Sequence, residues 1–303
     1  MNTRTAIITG ANAGLGLQCA RALLADDPSW HLVLAVRDVA RGADAVAELR
    51  EPDRCTVLEL DLNSLQSVRA FAETLRAAAL PPLHAIVCNA GVQVVSGTEY
   101  TVDGVEMTFG VNHLGHFALV QTLLDDLARP ARIVVVSSGT HDPAKVTGMP
   151  SPMYTTAEHL AHPADSEPAD GRRRYTTSKL CNVLFAYELD RRLGGGADGI
   201  TVNTFDPGLM PGTGLARDYS SAGRWAWGYV FPVLRVLPNV NSTRKSGARL
   251  ARLVWDPALD AVTGGYFEGR RQIRSSADSY DTEKALDLWD TSEQLIMQAS
   301  RGR

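Results

Sequence analysis

The 303-residue chain has little of what marks a secreted, metal-bound or nucleic-acid-binding protein. It holds 4 cysteines, Cys19, Cys55, Cys88 and Cys181, and no two of them form a C-x-x-C pair. That spacing argues against a disulfide framework or a metal finger and for reduced thiols inside helices and strands. Charge is also nearly balanced: 30 Lys+Arg face 34 Asp+Glu, for a net charge of -4. Such a chain has no electrostatic footprint for nucleic acid, so none is expected as a partner. Uncharged apolar runs are too short to span a bilayer, and a strand begins by Thr5 with no leader pattern before it. A cytoplasmic protein without an integral membrane segment is therefore expected. His113 and His116 stand three apart without a third ligand of matching spacing, so no metal site is expected either. His159 and His162 lie in a polar stretch where solvated histidines are ordinary. Internal repeats, low-complexity tracts and dividing linkers are all lacking, which favours one domain over 1–303.

What the chain does have is a regular alternation. Thr5 to Thr9 is a short apolar run that stops at glycine, and a helical pattern follows through Leu17, Ala20, Leu23 and Leu24. Strands are expected at His31–Val36, Cys55–Glu59, Leu83–Val87, Arg132–Val136, Ile200–Phe205 and Gly265–Glu268. Helices are expected at Val39–Leu49, Ser64–Leu75, Val105–Leu127, Thr176–Leu193, Thr243–Val254 and Thr282–Met297. Parallel strands need helical crossovers, so this order predicts an α/β, doubly wound Rossmann fold. Its sheet would be mostly parallel and seven-stranded, with ligands at the carboxyl ends of the strands. Two stretches break the rhythm: a polar, Pro-rich insert at about 141–174, and a segment at about 209–241 carrying Trp225, Trp227, Tyr229 and Phe231. The second stretch reads as core, as a substrate lid, or as a dimer or membrane-surface patch.

The first strand runs into Thr9-Gly10-Ala11-Asn12-Ala13-Gly14-Leu15-Gly16 and then a helix. Glycines let backbone turn tightly and approach a ligand, and the free N–H groups of the next helix suit a pyrophosphate. The second strand ends at Val36, with Arg37 and Asp38 following and Arg41 beyond. A carboxylate there would bind the ribose of NAD, whereas a guanidinium favours the 2′-phosphate of NADP. Arg37 points to NADP(H), and Asp38 as a ribose ligand is the alternative. Asp61-Leu62 and Asn89-Ala90-Gly91 follow the third and fourth strands and share the same binding edge.

The fifth strand ends in Ser137-Ser138, and Tyr175-Thr176-Thr177-Ser178-Lys179 opens a later helix. Tyr175 and Lys179 share one helix face, so the ammonium can lower the tyrosine's pKa from its ordinary value near 10. With Ser138 at the substrate oxygen, Tyr175 could move a proton while a nicotinamide supplies hydride. Thr140 is a rival to Ser138. Arg172-Arg173-Arg174 reads as a solvated helix start or as a contact to an acidic substrate group.

The chain resembles the short-chain dehydrogenase/reductase family over nearly its whole length. The family's T-G-x-x-x-G-x-G matches Thr9–Gly16, its N-A-G matches Asn89–Gly91, and its Y-x-x-x-K matches Tyr175–Lys179. The resemblance implies catalytic roles for Ser138, Tyr175, Lys179 and Asn112, the last by anchoring a water that relays protons to the lysine. It also implies cofactor contacts from Pro207-Gly208, and from Thr213 to the nicotinamide amide. Within the family, Val111–Phe117 (VNHLGHF), Ser178–Leu184 (SKLCNVL) and Leu288–Ser292 (LWDTS) resemble retinol dehydrogenases and light-dependent protochlorophyllide reductases. The photoenzymes carry a cysteine after the Pro-Gly pair, where this chain has Leu209. The resemblance thus implies a dark NADPH-dependent carbonyl reductase. The aromatic stretch, read as a lid, suits a lipophilic, aromatic or polycyclic substrate. Relatives are often dimers or tetramers, and the long inserts stand to block those surfaces, so a monomer or homodimer is expected. Protochlorophyllide reduction and a non-catalytic NADP-binding regulator are the alternatives.

Overall fold

The structure, a computed structural model, describes residues 3–164, 170–210 and 241–301. Four strands and three helices alternate first: β1 (Arg4–Thr9), α1 (Gly14–Asp26), β2 (Trp30–Val36), α2 (Val39–Leu49), β3 (Cys55–Glu59), α3 (Leu65–Ala77) and β4 (Leu83–Cys88). A helix in three segments follows: α4 (Met107–Phe109), a π-helical stretch (Gly110–Leu114) and α5 (Gly115–Leu123). Next come β5 (Leu127–Val136), the short α6 (Ala157–Ala161), α7 (Gly171–Arg192) and β6 (Ile200–Asp206). The chain closes with α8 (Thr243–Trp255), β7 (Gly265–Glu268), β8 (Arg271–Ile273) and α9 (Thr282–Arg301).

The strands form one sheet in the order β3-β2-β1-β4-β5-β6-β7-β8. Every pairing is parallel except the antiparallel β7–β8. The sheet is therefore eight-stranded, one more than the sequence pattern predicts. Arg271–Ile273 escapes notice because it is a three-residue edge strand with little burial and no apolar alternation. Successive side chains of a strand face opposite sides of a sheet, and the core divides accordingly. Ile7, Val33, Ile86, Ile133 and Val202 join one apolar layer, and Ala6, Ile8, Leu32, Leu34, Val87 and Val134 join the other.

Helix starts are set by local capping. Asp38, Ser64 and Ser242 cap α2, α3 and α8 by accepting the backbone N–H of Arg41, Ser67 and Lys245. Helix α7 begins at Gly171, five residues before the expected Thr176, because Asp170 accepts from Arg173 N and caps it. Position 171 must be glycine, since a Cβ there would lie 1.8 Å from the carbonyl oxygen of Val94. The long central helix is shorter than the expected Val105–Leu127, and β5 starts at Leu127 rather than Arg132. Pro130 obscures that start, since proline removes a ladder donor.

The insert is tied down where it is described. Tyr154 Oη and Ala157 N donate to Asp287 on α9, and Met153 N donates to Thr177 Oγ1 on α7. No helix among the described residues is long and apolar enough to cross a membrane. The cysteines are free; burial raises the thiol pKa of Cys19, Cys88 and Cys181, and that of Cys55 to about 11.

Candidate active site

The sheet order reverses between β1 and β4, and the carboxyl ends of these strands open the crevice where a doubly wound sheet takes its ligand. Gly10 and Gly14 have φ of +65° and +57°, a region closed to most side chains. A Cβ on Gly16 would stand 2.7 Å from both Gly10 O and Asn89 Nδ2. The glycines therefore fold the loop tightly against its neighbours. Ala13, the N-cap of α1, makes no side-chain capping bond, and no acidic residue occupies the first turn. An uncapped 13-residue helix whose first-turn amides meet no capping side chain fits a pyrophosphate. Asn12 is half-buried and Leu15 buried in this turn.

Thr9 joins this loop to the next. Its Oγ1 accepts from Asn89 N and Ala90 N, both at 2.9 Å, and Asn89 Nδ2 returns a bond of 2.7 Å to Thr9 O. Gly91 keeps its loop close to the helices, because a Cβ there would press on Asn112 Oδ1 at 3.2 Å and touch Lys179 Nζ at 3.7 Å. Val36 is buried while Arg37 and Arg41 are exposed at the strand end. Asp38 spends Oδ1 on capping α2, at 3.1 Å from Arg41 N, which argues for Arg37 over Asp38 at the ribose. Asp61 Oδ1 accepts from Asn63 N at 3.0 Å, and Leu62 O lies 2.7 Å from where a Gly115 Cβ would be.

On the chemical side, Ser137 Oγ donates to Lys179 O at 2.7 Å and so stitches the end of β5 to α7. Val136 O takes Asn182 Nδ2 at 3.0 Å and Lys179 Nζ at 3.4 Å. Asn182 was not singled out from the sequence; its place one turn beyond a buried lysine was the available signal. Lys179 is 4% exposed, its Nζ is 5.5 Å from the centroid of the Tyr175 ring, and burial draws its pKa down to about 8. Tyr175 is buried and Ser138 is half-buried at the N-cap of a 3-10 turn, Gly139–His141.

Asn112 lies in the π-helical stretch, a distortion that often marks a functional position. Its Oδ1 accepts from Val92 N at 2.7 Å, while Nδ2 donates to Val92 O at 2.9 Å and to Ser178 Oγ at 3.0 Å. The side chain thus clamps the N-A-G loop to the helix of Tyr175. His113 meets Ser292 Oγ at 2.9 Å among Phe109, Phe117 and Phe185, and burial lowers its pKa to about 3. No cluster of potential metal ligands occurs among the described residues. The arginine run has protein partners: Arg172 reaches Gly148 O, Arg173 pairs with Asp170, and Arg174 binds Thr98 Oγ1. Pro207 O accepts from Ser246 Oγ at 2.7 Å, and Gly208, at φ +74°, follows. Thr213, Trp225, Trp227, Tyr229 and Phe231 lie outside the described residues.

Residues 4–159 match the family described as short chain dehydrogenase. The chain belongs to the short-chain dehydrogenase family. It is 36% identical to "Protochlorophyllide reductase A, chloroplastic" of Oryza sativa subsp. japonica, over 96% of this chain and 80% of the relative. "WW domain-containing oxidoreductase" of Gallus gallus is also 36% identical, over 98% of this chain and 69% of the relative. Among solved structures, an uncharacterized protein from Mycobacterium Paratuberculosis superposes with a TM-score of 0.71 at 31% identity, covering 98% of this chain and 94% of that one. A blue fluorescent protein from a metagenomic library, crystallised with NADPH, shares the fold at a TM-score of 0.64 and 23% identity, covering 89% of this chain and 98% of that one. The short-chain dehydrogenase is an oxidoreductase of the branch that the Val111–Phe117 and Leu288–Ser292 segments resemble.

Proposed function

We propose that the protein is an NADPH-dependent reductase of a ketone or aldehyde on a bulky lipophilic molecule, working reversibly as an alcohol dehydrogenase. The observation that carries this reading is the buried pair Tyr175 and Lys179, sewn by Ser137 and Val136 to the strand end that bears Ser138. Gly10, Asn12, Gly14, Leu15 and Gly16 would hold the pyrophosphate of the cofactor, and Arg37 its 2′-phosphate. Asp61 and Leu62 would border the adenine, and Asn89, Ala90 and Gly91 would floor the ribose. Pro207, Gly208 and Thr213 would face the nicotinamide. When bound, NADPH supplies the hydride that reaches the carbonyl carbon.

Ser138 would donate a hydrogen bond to the carbonyl oxygen, so that charge developing there is met by a fixed dipole. Tyr175 would deliver its phenolic proton to that oxygen, and the Lys179 ammonium would stabilise the phenolate left behind. The Lys179 ammonium would also hold the cofactor ribose. Asn112 would keep the N-A-G loop and the Tyr175 helix in register. Purified protein, NADPH and a panel of lipophilic carbonyl compounds should show loss of nicotinamide absorbance. Tyr175→Phe should lower the rate at least about 100-fold with cofactor affinity unchanged. Equal rates for variant and parent would remove Tyr175 from the role.

A second reading is light-dependent reduction of protochlorophyllide, favoured by the 36% identity to relatives of that name from rice and oat. Leu209, in place of the photoenzymes' cysteine, weighs against it. Illumination with NADPH and protochlorophyllide decides between the two, because only the second reading gives chlorophyllide.

A further inference from the structure

We propose that His141 is a positioning residue for Ser138, acting as a wedge between the serine's turn and the β7–β8 hairpin. The inference rests on the reading of Ser138 as the group that meets the substrate oxygen. His141 is fully buried, three residues past Ser138, and its Nδ1 lies 2.7 Å from the carbonyl oxygen of Ser138. A carbonyl only accepts, so Nδ1 carries the proton. Nε2 accepts the backbone N–H of Ser276 at 3.1 Å, just beyond β8. That pair of bonds fixes one neutral tautomer, and burial, by lowering the ring's pKa, keeps it neutral. The ring packs tilted on Tyr266 of β7, with centroids 4.9 Å apart, and the Tyr266 hydroxyl stands 3.4 Å from Nδ1.

The same turn has a second tether. Lys145 donates to Glu268 Oε2 at 2.5 Å and lies 3.8 Å from Asp206 Oδ2, so it bridges the ends of β7 and β6. Gly139 leaves little room between the two, since a Cβ would stand 3.0 Å from Asp206 Oδ2 and 3.3 Å from Lys145 Cδ, and both side chains would have to shift. The backbone that carries Ser138 is thereby held on its far side by the β7–β8 edge of the sheet. A hydroxyl aimed at a developing oxyanion loses its effect when displaced by about 1 Å, which costs roughly 100-fold in rate. Holding the Ser138 carbonyl fixes the direction of the neighbouring side chain.

His141→Asn and His141→Gln test the idea as a pair. Asparagine sets its amide donor near the position of Nδ1, whereas glutamine sets it near that of Nε2. The asparagine variant should keep kcat within about 5-fold of the parent, and the glutamine variant should lose about 30-fold or more, with KM and NADPH affinity little changed in both. Equal losses, or the reverse order, would overturn the proposal. Repeating the glutamine change in Ser138→Ala separates positioning from general damage. The second substitution should then cost nothing further in kcat, whereas an additive loss would show that His141 does not act through Ser138. If Ser138→Ala alone turns over as fast as the parent, the reading of Ser138 itself fails, and that result is distinct from the other two.

Discussion

The hydroxyl of Thr9, at the end of β1, lies 2.9 Å from Nε2 of His116 on α5. His116 Nδ1 faces the carbonyl oxygen of Asn112 at 3.2 Å, so that nitrogen bears the proton and Nε2 accepts from Thr9. Two backbone N–H groups take the lone pairs of Thr9 Oγ1, and its proton has Nε2 as the near acceptor and Val87 O, at 3.4 Å, as the far one. Burial lowers the His116 pKa to about 4 and preserves this neutral form. One hydroxyl thus couples the glycine loop, the N-A-G loop and the helix of Asn112.

Thr9→Val should be costly for its size. It keeps the shape but takes the hydroxyl from the Ala90 amide and from an imidazole nitrogen, each costing about 1–3 kcal/mol when buried without a partner, while the Asn89 amide keeps Val87 O at 3.0 Å. Urea unfolding should show a loss of at least about 2 kcal/mol, and Thr9→Ser should recover most of it. A valine variant as stable as the parent would mean that the junction is not what holds the loops.

Lys179 sets opposite pH trends for stability and for rate. Its pKa falls from an ordinary 10.5 to about 8 because burial penalises the ammonium. Below pH 8 both folded and unfolded chains carry the charge, and the fold bears its burial cost. Between about 8 and 10.5 the unfolded chain binds the proton and the folded chain does not, so this group's contribution to stability rises with pH. Carbonyl reduction should instead decline above about pH 8 as the ammonium is lost. Lys179→Met should abolish turnover yet stabilise the cofactor-free protein at neutral pH, because methionine fills the site without a buried ammonium. Thermal melts and reduction rates, each followed from about pH 6 to about pH 10, would check the two signs, and a less stable methionine variant would contradict the account.

Arg37 is exposed at the end of β2, where the proposed function puts the 2′-phosphate, and Asp38 Oδ1 caps the helix that follows. Arg37→Glu should weaken NADPH by about two orders of magnitude, since a carboxylate would repel the 2′-phosphate that a guanidinium pairs with. NADH affinity should change by less than about 5-fold. Calorimetric titration of both cofactors reads the difference, and parallel losses would remove Arg37 from the 2′-phosphate.

The sequence alone determined the alternation of strands and helices, the parallel sheet and the glycine turn after β1. These follow from short-range periodicity and from residues whose backbone freedom is chemical, as at Gly10 and Gly14. Tyr175 and Lys179 were legible together because four residues make one helix turn. Only tertiary structure decided which polar groups are spent on holding the site. Nothing in the spacing of His141, Asn182 or Thr9 reveals partners 135, 46 and 107 residues away along the chain. The edge strand Arg271–Ile273 was equally hidden, because its pairing with β7 rather than its own side chains makes it a strand. Asn112, Arg172 and Arg174 show the same limit: their partners come from other segments, and a hydrogen bond is fixed by where two segments meet, not by either segment's pattern.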